Sequence, residues 1–191
     1  MSKLILASGS PRRRELMEQT GLAFTVIPSE TDESTAEGLP PKTMVKHLAR
    51  QKALAVAAKH PGAVVLGADT VVAVDGEVLG KPKNEEDARR MLRLLSGREH
   101  CVHTGVCVVT PSGTTITFCK TSHVTFRGIS PDEIDRYVAT GEPMDKAGAY
   151  AIQGRGAKLV RDYSGDYTNI VGLPVWRVLR VLCGFGKDIP F

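Results

Sequence analysis

No stretch of the sequence is long and apolar enough to cross a membrane, and no basic run is longer than Arg12 to Arg14. A membrane protein is set aside by the first absence and an extended nucleic-acid surface by the second; with a net charge of +4, a small polyanion is the better-suited partner. The four cysteines, Cys101, Cys107, Cys119 and Cys183, show no Cys-x-x-Cys spacing, and the first three fall in apolar strand-like stretches. They read as core thiols of a reducing compartment. The apolar run before Ser8 has only five residues, too few for a signal peptide, so the expected location is the cytoplasm. Internal repeats, low-complexity segments and Pro/Ser-rich linkers are also missing. Of the familiar nucleotide motifs, no Gly-x-x-x-x-Gly-Lys-Ser/Thr occurs, and Gly154-x-Gly156 lacks the third glycine of a dinucleotide fingerprint. No Gly-x-Ser-x-Gly elbow supports a serine hydrolase. His100 and His103 are three apart in a strand-like run and so point to opposite faces, which argues against a shared metal; all five histidines read as structural or surface groups.

What is present is an ordinary soluble composition, 42% hydrophobic and 24% charged over 191 residues. That length suits a single domain over 1–191 that buries roughly 70% of its unfolded surface. Strands are expected at Lys3–Ala7, Phe24–Ile27 and Ala63–Val74, the last turning at Asp75-Gly76 into Val78-Leu79. Cys101–Val109 and Thr114–Phe126 read as a hairpin around Pro111-Ser112-Gly113. Helices are expected from Pro41 to about His60, after Asn84, from Pro131 to about Thr140 and from Pro174 to about Cys183. Thr31–Pro40 reads as an exposed polar loop. Strand–helix alternation followed by hairpins implies an α/β fold with a mixed sheet, with a smaller lobe contributed roughly by 75–126.

Two helix starts share the pair Ser-Pro and differ in the charge of the first turn. Ser130-Pro131-Asp132-Glu133 carries acids there and the spacing of a capping box. Ser10-Pro11-Arg12-Arg13-Arg14, after the turn Ser8-Gly9, puts three cations where the helix field disfavours positive charge, at a cost of a few tenths of a kcal/mol each. Either an anion such as phosphate is held there, or the arginines are solvated surface charges.

Asp69 interrupts the apolar run Val64 to Val74, so its carboxylate falls in a segment expected to be buried on both faces. Leaving it unpaired would cost several kcal/mol. It is therefore either a carboxylate paired with a core lysine or a catalytic or metal-binding group, and Gly67 would leave room for a ligand to approach. Lys52 lies on the apolar stripe of Val45, Leu48, Ala55 and Val56 and points inward. Lys81, between Gly80 and Pro82, is a candidate for neutralising polyphosphate or a plain surface lysine. Glu30, at the end of the second strand, where α/β folds gather functional groups, is either such a group or a solvated loop acid. Asp145 to Gly154 is a small-residue stretch with an amide near its end, and that amide, Gln153, could read a base edge.

Six segments taken in order, Leu6-Ala7-Ser8-Gly9-Ser10-Pro11-Arg12-Arg13, Gly67-Ala68-Asp69-Thr70, Gly80-Lys81-Pro82, Leu95-Ser96-Gly97-Arg98, Glu142-Pro143-Met144-Asp145-Lys146-Ala147-Gly148 and Val171-Gly172-Leu173-Pro174, resemble the Maf family of nucleoside triphosphate pyrophosphatases. The resemblance implies a two-lobed α/β fold like that of the inosine triphosphate pyrophosphatases, with a central cleft and a possible homodimer. It also implies hydrolysis of a nucleoside triphosphate between the α- and β-phosphates, dependent on Mg2+ or Mn2+. In that scheme Asp69 is the proton acceptor and a metal ligand with Glu30, while Lys52 and Lys81 assist. Ser8, Ser10 and Arg13 bind phosphate, and Arg12, Thr70 and Gln153 occupy specificity positions as in the dTTP/UTP branch. A 7-methyl-GTP pyrophosphatase and a nucleotide-binding regulator of cell division are the alternatives.

Overall fold

The computed structural model describes residues 3–31 and 33–184. Its sheet has seven strands: β1 Leu4–Leu6, β2 Thr25–Val26, β3 Val64–Val74, β4 Glu77–Leu79, β5 Glu99–Val109, β6 Thr115–Phe126 and β7 Val160–Ser164. The strand order is β2-β1-β3-β5-β6-β7, with β4 paired to β3. β1 runs parallel to both β2 and β3, whereas β4 on β3 and β7 on β6 are antiparallel. The fold is therefore mixed α/β, as the alternation of patterns implies. Among the described residues six α-helices accompany the strands: α1 Pro11–Glu18, α2 Pro41–Ala57, α3 Glu85–Leu95, α4 Pro131–Val138, α5 Tyr167–Val171 and α6 Val175–Cys183. No helix among the described residues is long and apolar enough to cross a membrane.

The described residues divide into two compact units, one of residues up to 69, 104–120 and from 172 onward and one of residues 70–103 and 121–171. The expected smaller lobe, 75–126, overlaps the second unit only in part. The long strands β3, β5 and β6 each pass from one unit to the other, so the division cuts across hairpins.

In the first unit, α2 packs its small residues Ala49 and Ala53 with Val56 against Ile5, Val65, Cys107 and Val109. Close approach depends on glycine. A Cβ at Gly67 would lie 2.5 Å from the Ala49 carbonyl oxygen and 2.8 Å from Ala53 N, and one at Gly105 would collide with the Val45 backbone. Gly67 thus makes room for α2, which corrects the expectation that it admits a ligand.

In the second unit, α3 is capped by Asn84, whose side chain accepts from Asp87 N, and buries Ala88, Met91, Leu92 and Leu95. α4 carries a complete capping box between Ser130 and Glu133 and buries Ile134, Tyr137 and Val138. Arg89 joins the two helices through Asp135 at 2.7 Å. His100, Phe126 and Tyr150 stack edge to face, with ring centroids 4.7–5.4 Å apart. The expected loop 31–40 contains a 3-10 turn, Glu33–Ala36, that buries Ala36; position 32 lies outside the described residues. Of the cysteines only Cys107 is a core thiol, its pKa pushed up by burial; Cys101 and Cys119 are half-buried and Cys183 is exposed.

Candidate functional site

In the first unit the site grows from the parallel pair β1 and β3. Ala7 N donates to the Leu66 carbonyl at 2.8 Å, so Ser8 and Gly9 leave β1 on the side toward which β3 runs on to Asp69. This is the carboxyl end of β1, where α/β folds gather ligands. Ser10 has the extended backbone of an N-cap and Pro11 opens α1, but the Ser10 side chain makes no capping bond and the first turn holds no acid. Ser8 supplies the local order instead. Its buried hydroxyl oxygen accepts from Ser10 N at 3.3 Å and from Arg13 Nη1 at 3.1 Å.

The three arginines have separate fates. Arg13 also donates from Nε to the Gly172 carbonyl at 2.7 Å, so it ties the helix start to the segment before α6. Arg14 is exposed and pairs with Glu18 one turn later. Arg12 is half-buried and has no hydrogen-bond or ion-pair partner among the described residues. The start of α1 therefore combines first-turn N–H groups, no capping side chain and an unpaired cation.

Asp69 is 9% exposed and its Oδ1 accepts from Lys52 Nζ at 2.6 Å. The pair is nearly sequestered, with side-chain exposures of 14% and 12%. α2 turns Lys52 inward on its buried stripe, although the stripe uses Ala49 and Ala53 where Ala55 was expected. Removing one partner of such a pair would strand the other, at a cost of up to about 3–5 kcal/mol when burial is complete. Of the two readings of Asp69, the pairing with a core lysine is present; it leaves a chemical role for the carboxylate open.

Glu30 is exposed and stands four residues beyond β2, which ends at Val26, short of the expected Ile27. Among the described residues no group of three or more His, Cys, Asp or Glu side chains is placed to hold a metal ion. The oxygen donors Asp69 and Glu30 nevertheless suit a hard divalent cation of the magnesium class. Such ions take one or two carboxylates and complete their shell with phosphate oxygens and water.

In the second unit, Thr70 is half-buried in β3, Lys81 is exposed just after β4, and Gln153 is exposed in the turn 151–156. Gly80 has open space around it, and its carbonyl accepts from Gly148 N at 3.1 Å. Gly148 has φ +69°, and a Cβ there would press within 2.8 Å of Val72. The Lys81 segment is thus anchored to the small-residue stretch by backbone contact, and the crowding at Val72 explains the glycine at 148. Two residues that the six segments contain but to which the sequence assigned no role also contribute: Gly172, whose carbonyl accepts from Arg13, and Glu142. Glu142 lies where burial raises a carboxyl pKa, but the amides of Gly156 and Arg155 and the Tyr137 hydroxyl outweigh burial and leave it lowered.

Comparison with known proteins places this architecture. Residues 3–185 match the family described as Maf-like protein. The chain is 57% identical to a dTTP/UTP pyrophosphatase of Moorella thermoacetica, covering 99% of this chain and 98% of that protein. It is 51% identical to the protein of the same name from Symbiobacterium thermophilum, over 99% and 97% of the two chains. Among solved structures, a HAM1 protein from Coxiella burnetii shares the fold with a TM-score of 0.54 at 16% identity, over 96% of this chain and all of that one. The Staphylococcus aureus Ham1 protein does so at 0.54 and 15%, over 97% and 100%. At those identities the likeness is one of fold alone. With sequence identity above one half across its whole length, the chain belongs to the Maf family.

Proposed function

We propose that the chain hydrolyses dTTP and UTP between the α- and β-phosphates, giving the nucleoside monophosphate and pyrophosphate. The observation that carries the reading is the sequestered Lys52–Asp69 pair, whose acid stands on β3, the strand hydrogen-bonded to the one that leads into the uncapped, cationic start of α1. A structural ion pair alone does not call for first-turn arginines, and an anion site alone does not call for a buried acid. Together they suit attack on a phosphoanhydride. The names of the relatives supply the nucleotide.

In this reading the Asp69 carboxylate takes a proton from the water that attacks the α-phosphorus, a contribution of about 10²–10⁴ in rate for a positioned base. The bond from that phosphorus to the bridging oxygen breaks, and pyrophosphate leaves with the electron pair. Lys52 holds Asp69 in place and offsets its burial. Arg12 and the first-turn N–H groups of α1 attract the anionic substrate, with Ser8, Ser10 and Arg13 shaping that turn. Lys81 meets the charge that develops on the leaving group. Thr70 and Gln153 discriminate among nucleotides. Asp69 and Glu30 are the residues that would hold a Mg2+ or Mn2+ ion, which when bound neutralises phosphate charge. A cytoplasmic homodimer belongs to the same reading; a monomeric mass by sedimentation would remove the dimer.

The experiment is product analysis with dTTP and Mg2+ or Mn2+, alongside UTP and 7-methyl-GTP. dTMP with pyrophosphate is expected; dTDP with orthophosphate would overturn the cleavage site, and preference for 7-methyl-GTP would overturn the substrate. A kcat/KM below roughly 10³ M⁻¹s⁻¹ on every nucleotide, against the 10⁴ or more usual for enzymes, would favour a regulator.

A further inference from the structure

The turn that carries Gln153 is pinned at both ends by one relay of hydrogen bonds within the second unit. Ala151 N donates to the Tyr137 hydroxyl at 3.2 Å, and that hydroxyl donates to Glu142 Oε1 at 2.9 Å. The same oxygen accepts from Gly156 N at 2.9 Å, while the other carboxylate oxygen accepts from Arg155 N at 3.1 Å. Ala151, Ile152 and Gly156 are buried, and Gln153, Gly154 and Arg155 stand exposed between them. Gln153 itself makes no hydrogen bond among the described residues.

Two glycines make the arrangement possible. Gly154 has φ +74°, and a Cβ there would come within 2.9 Å of the Glu142 carboxylate. A Cβ at Gly156 would lie 2.6 Å from the Tyr137 hydroxyl oxygen. A polar side chain exposed at the tip of a turn normally samples many positions; here three backbone amides of that turn bond to one tyrosine–carboxylate pair, so its backbone is held. Nothing in the α4 helix requires this. Its own start is capped by Ser130 and Glu133, and Tyr137 and Glu142 lie at and beyond its end.

We propose that Tyr137 and Glu142 are positioning residues that hold the turn 151–156, and through it Gln153, in the geometry that selects the nucleotide base. The inference rests on the proposed dTTP/UTP activity and names residues that act on selectivity without touching substrate. Tyr137→Phe removes the hydroxyl that bridges Ala151 and Glu142, and Glu142→Gln removes one acceptor.

The test is a double-mutant cycle read as the kcat/KM ratio of dTTP to dCTP, with KM and kcat separated. Tyr137→Phe is expected to lower that ratio at least tenfold, mostly through a higher KM for dTTP. In a Gln153→Ala background the same substitution should lower it no further. Hydrogen exchange at the Ala151 and Gly156 amides should quicken in both Tyr137→Phe and Glu142→Gln. An unchanged ratio, or an equal loss in the Gln153→Ala background, overturns the positioning role while leaving the activity standing. A wild-type protein with no preference between dTTP and dCTP overturns the base-selection half together with the substrate reading. Unchanged exchange then removes the pinning as well. Should Tyr137→Phe fail to fold, Glu142→Gln carries the same cycle with the same outcomes.

Discussion

The starts of α1 and α4 are written with the same pair, Ser-Pro, and are built for opposite ends. At α4 the Ser130 hydroxyl accepts from Glu133 N, the Glu133 carboxylate accepts from Ser130 N, and Arg127 grips that carboxylate at 2.7 Å. Glu133 is held down to about 2, first by the Arg127 hydrogen bond and then by the Ser130 amide. At α1 no side chain caps the helix, no acid faces its dipole, and Arg12 has no partner among the described residues. One start is saturated by its own chain. The other leaves first-turn donors and a cation unpaired among the described residues, the arrangement that the proposed phosphate site calls for.

The largest expected effect that sharpens this contrast comes from acid. His100, 2% exposed and hydrogen-bonded to Tyr150 at 2.8 Å, has its pKa lowered by burial from 6.5 to about 4. Between those values the unfolded chain binds the proton and the native chain does not, so stability falls as pH drops from 6.5 to 4, by about 3 kcal/mol at most. Because Glu133 keeps its charge through that window, the α4 cap should survive it. His100→Gln is expected to flatten the slope of stability against pH measured by urea denaturation; a slope equal to the wild type's would assign the acid sensitivity to other groups.

Next in size is Arg12→Glu, which gives α1 the charge that α4 already has. Affinity for a non-hydrolysable dTTP analogue should fall about tenfold or more, while the helix itself gains a few tenths of a kcal/mol from its dipole. Retained affinity in calorimetric titration would make Arg12 a surface charge. Smaller still, Ser130→Ala should cost about 1 kcal/mol of stability, a fall of roughly 2–4 °C in Tm, and leave affinity for the analogue alone. If Ser130→Ala weakened nucleotide binding as much as Arg12→Glu, the division between the two helix starts would fail.

Much of this was legible in the sequence because strong local signals agreed. The apolar run of β3, the Asn84 cap of α3 and the Ser130 capping box each fall within a residue or two of where their patterns put them. The inward placement of Lys52 followed from helical period. What escaped has no local period to read. β7 is an exposed edge strand with Val160 as its only aliphatic residue, and α5 has five residues, shorter than two turns. Gly67 serves a helix 14–18 residues upstream, and Arg13 bonds a carbonyl 159 residues away. Both are tertiary facts carried by backbone atoms, which no side-chain pattern records. Glu142 looks like a turn acid until the loop 13–14 residues later folds back onto it.

The central claim is that Asp69 is a reactive group held in place by Lys52, and not only one half of a buried ion pair. Asp69→Asn tests it most directly, keeping the shape and one acceptor oxygen for Lys52 while removing the base. Turnover of dTTP, followed as pyrophosphate release, should fall by about 10²–10⁴ while affinity for the non-hydrolysable analogue stays within about threefold. Near-normal turnover in Asp69→Asn would contradict the account and return Asp69 to the structural pair it forms with Lys52.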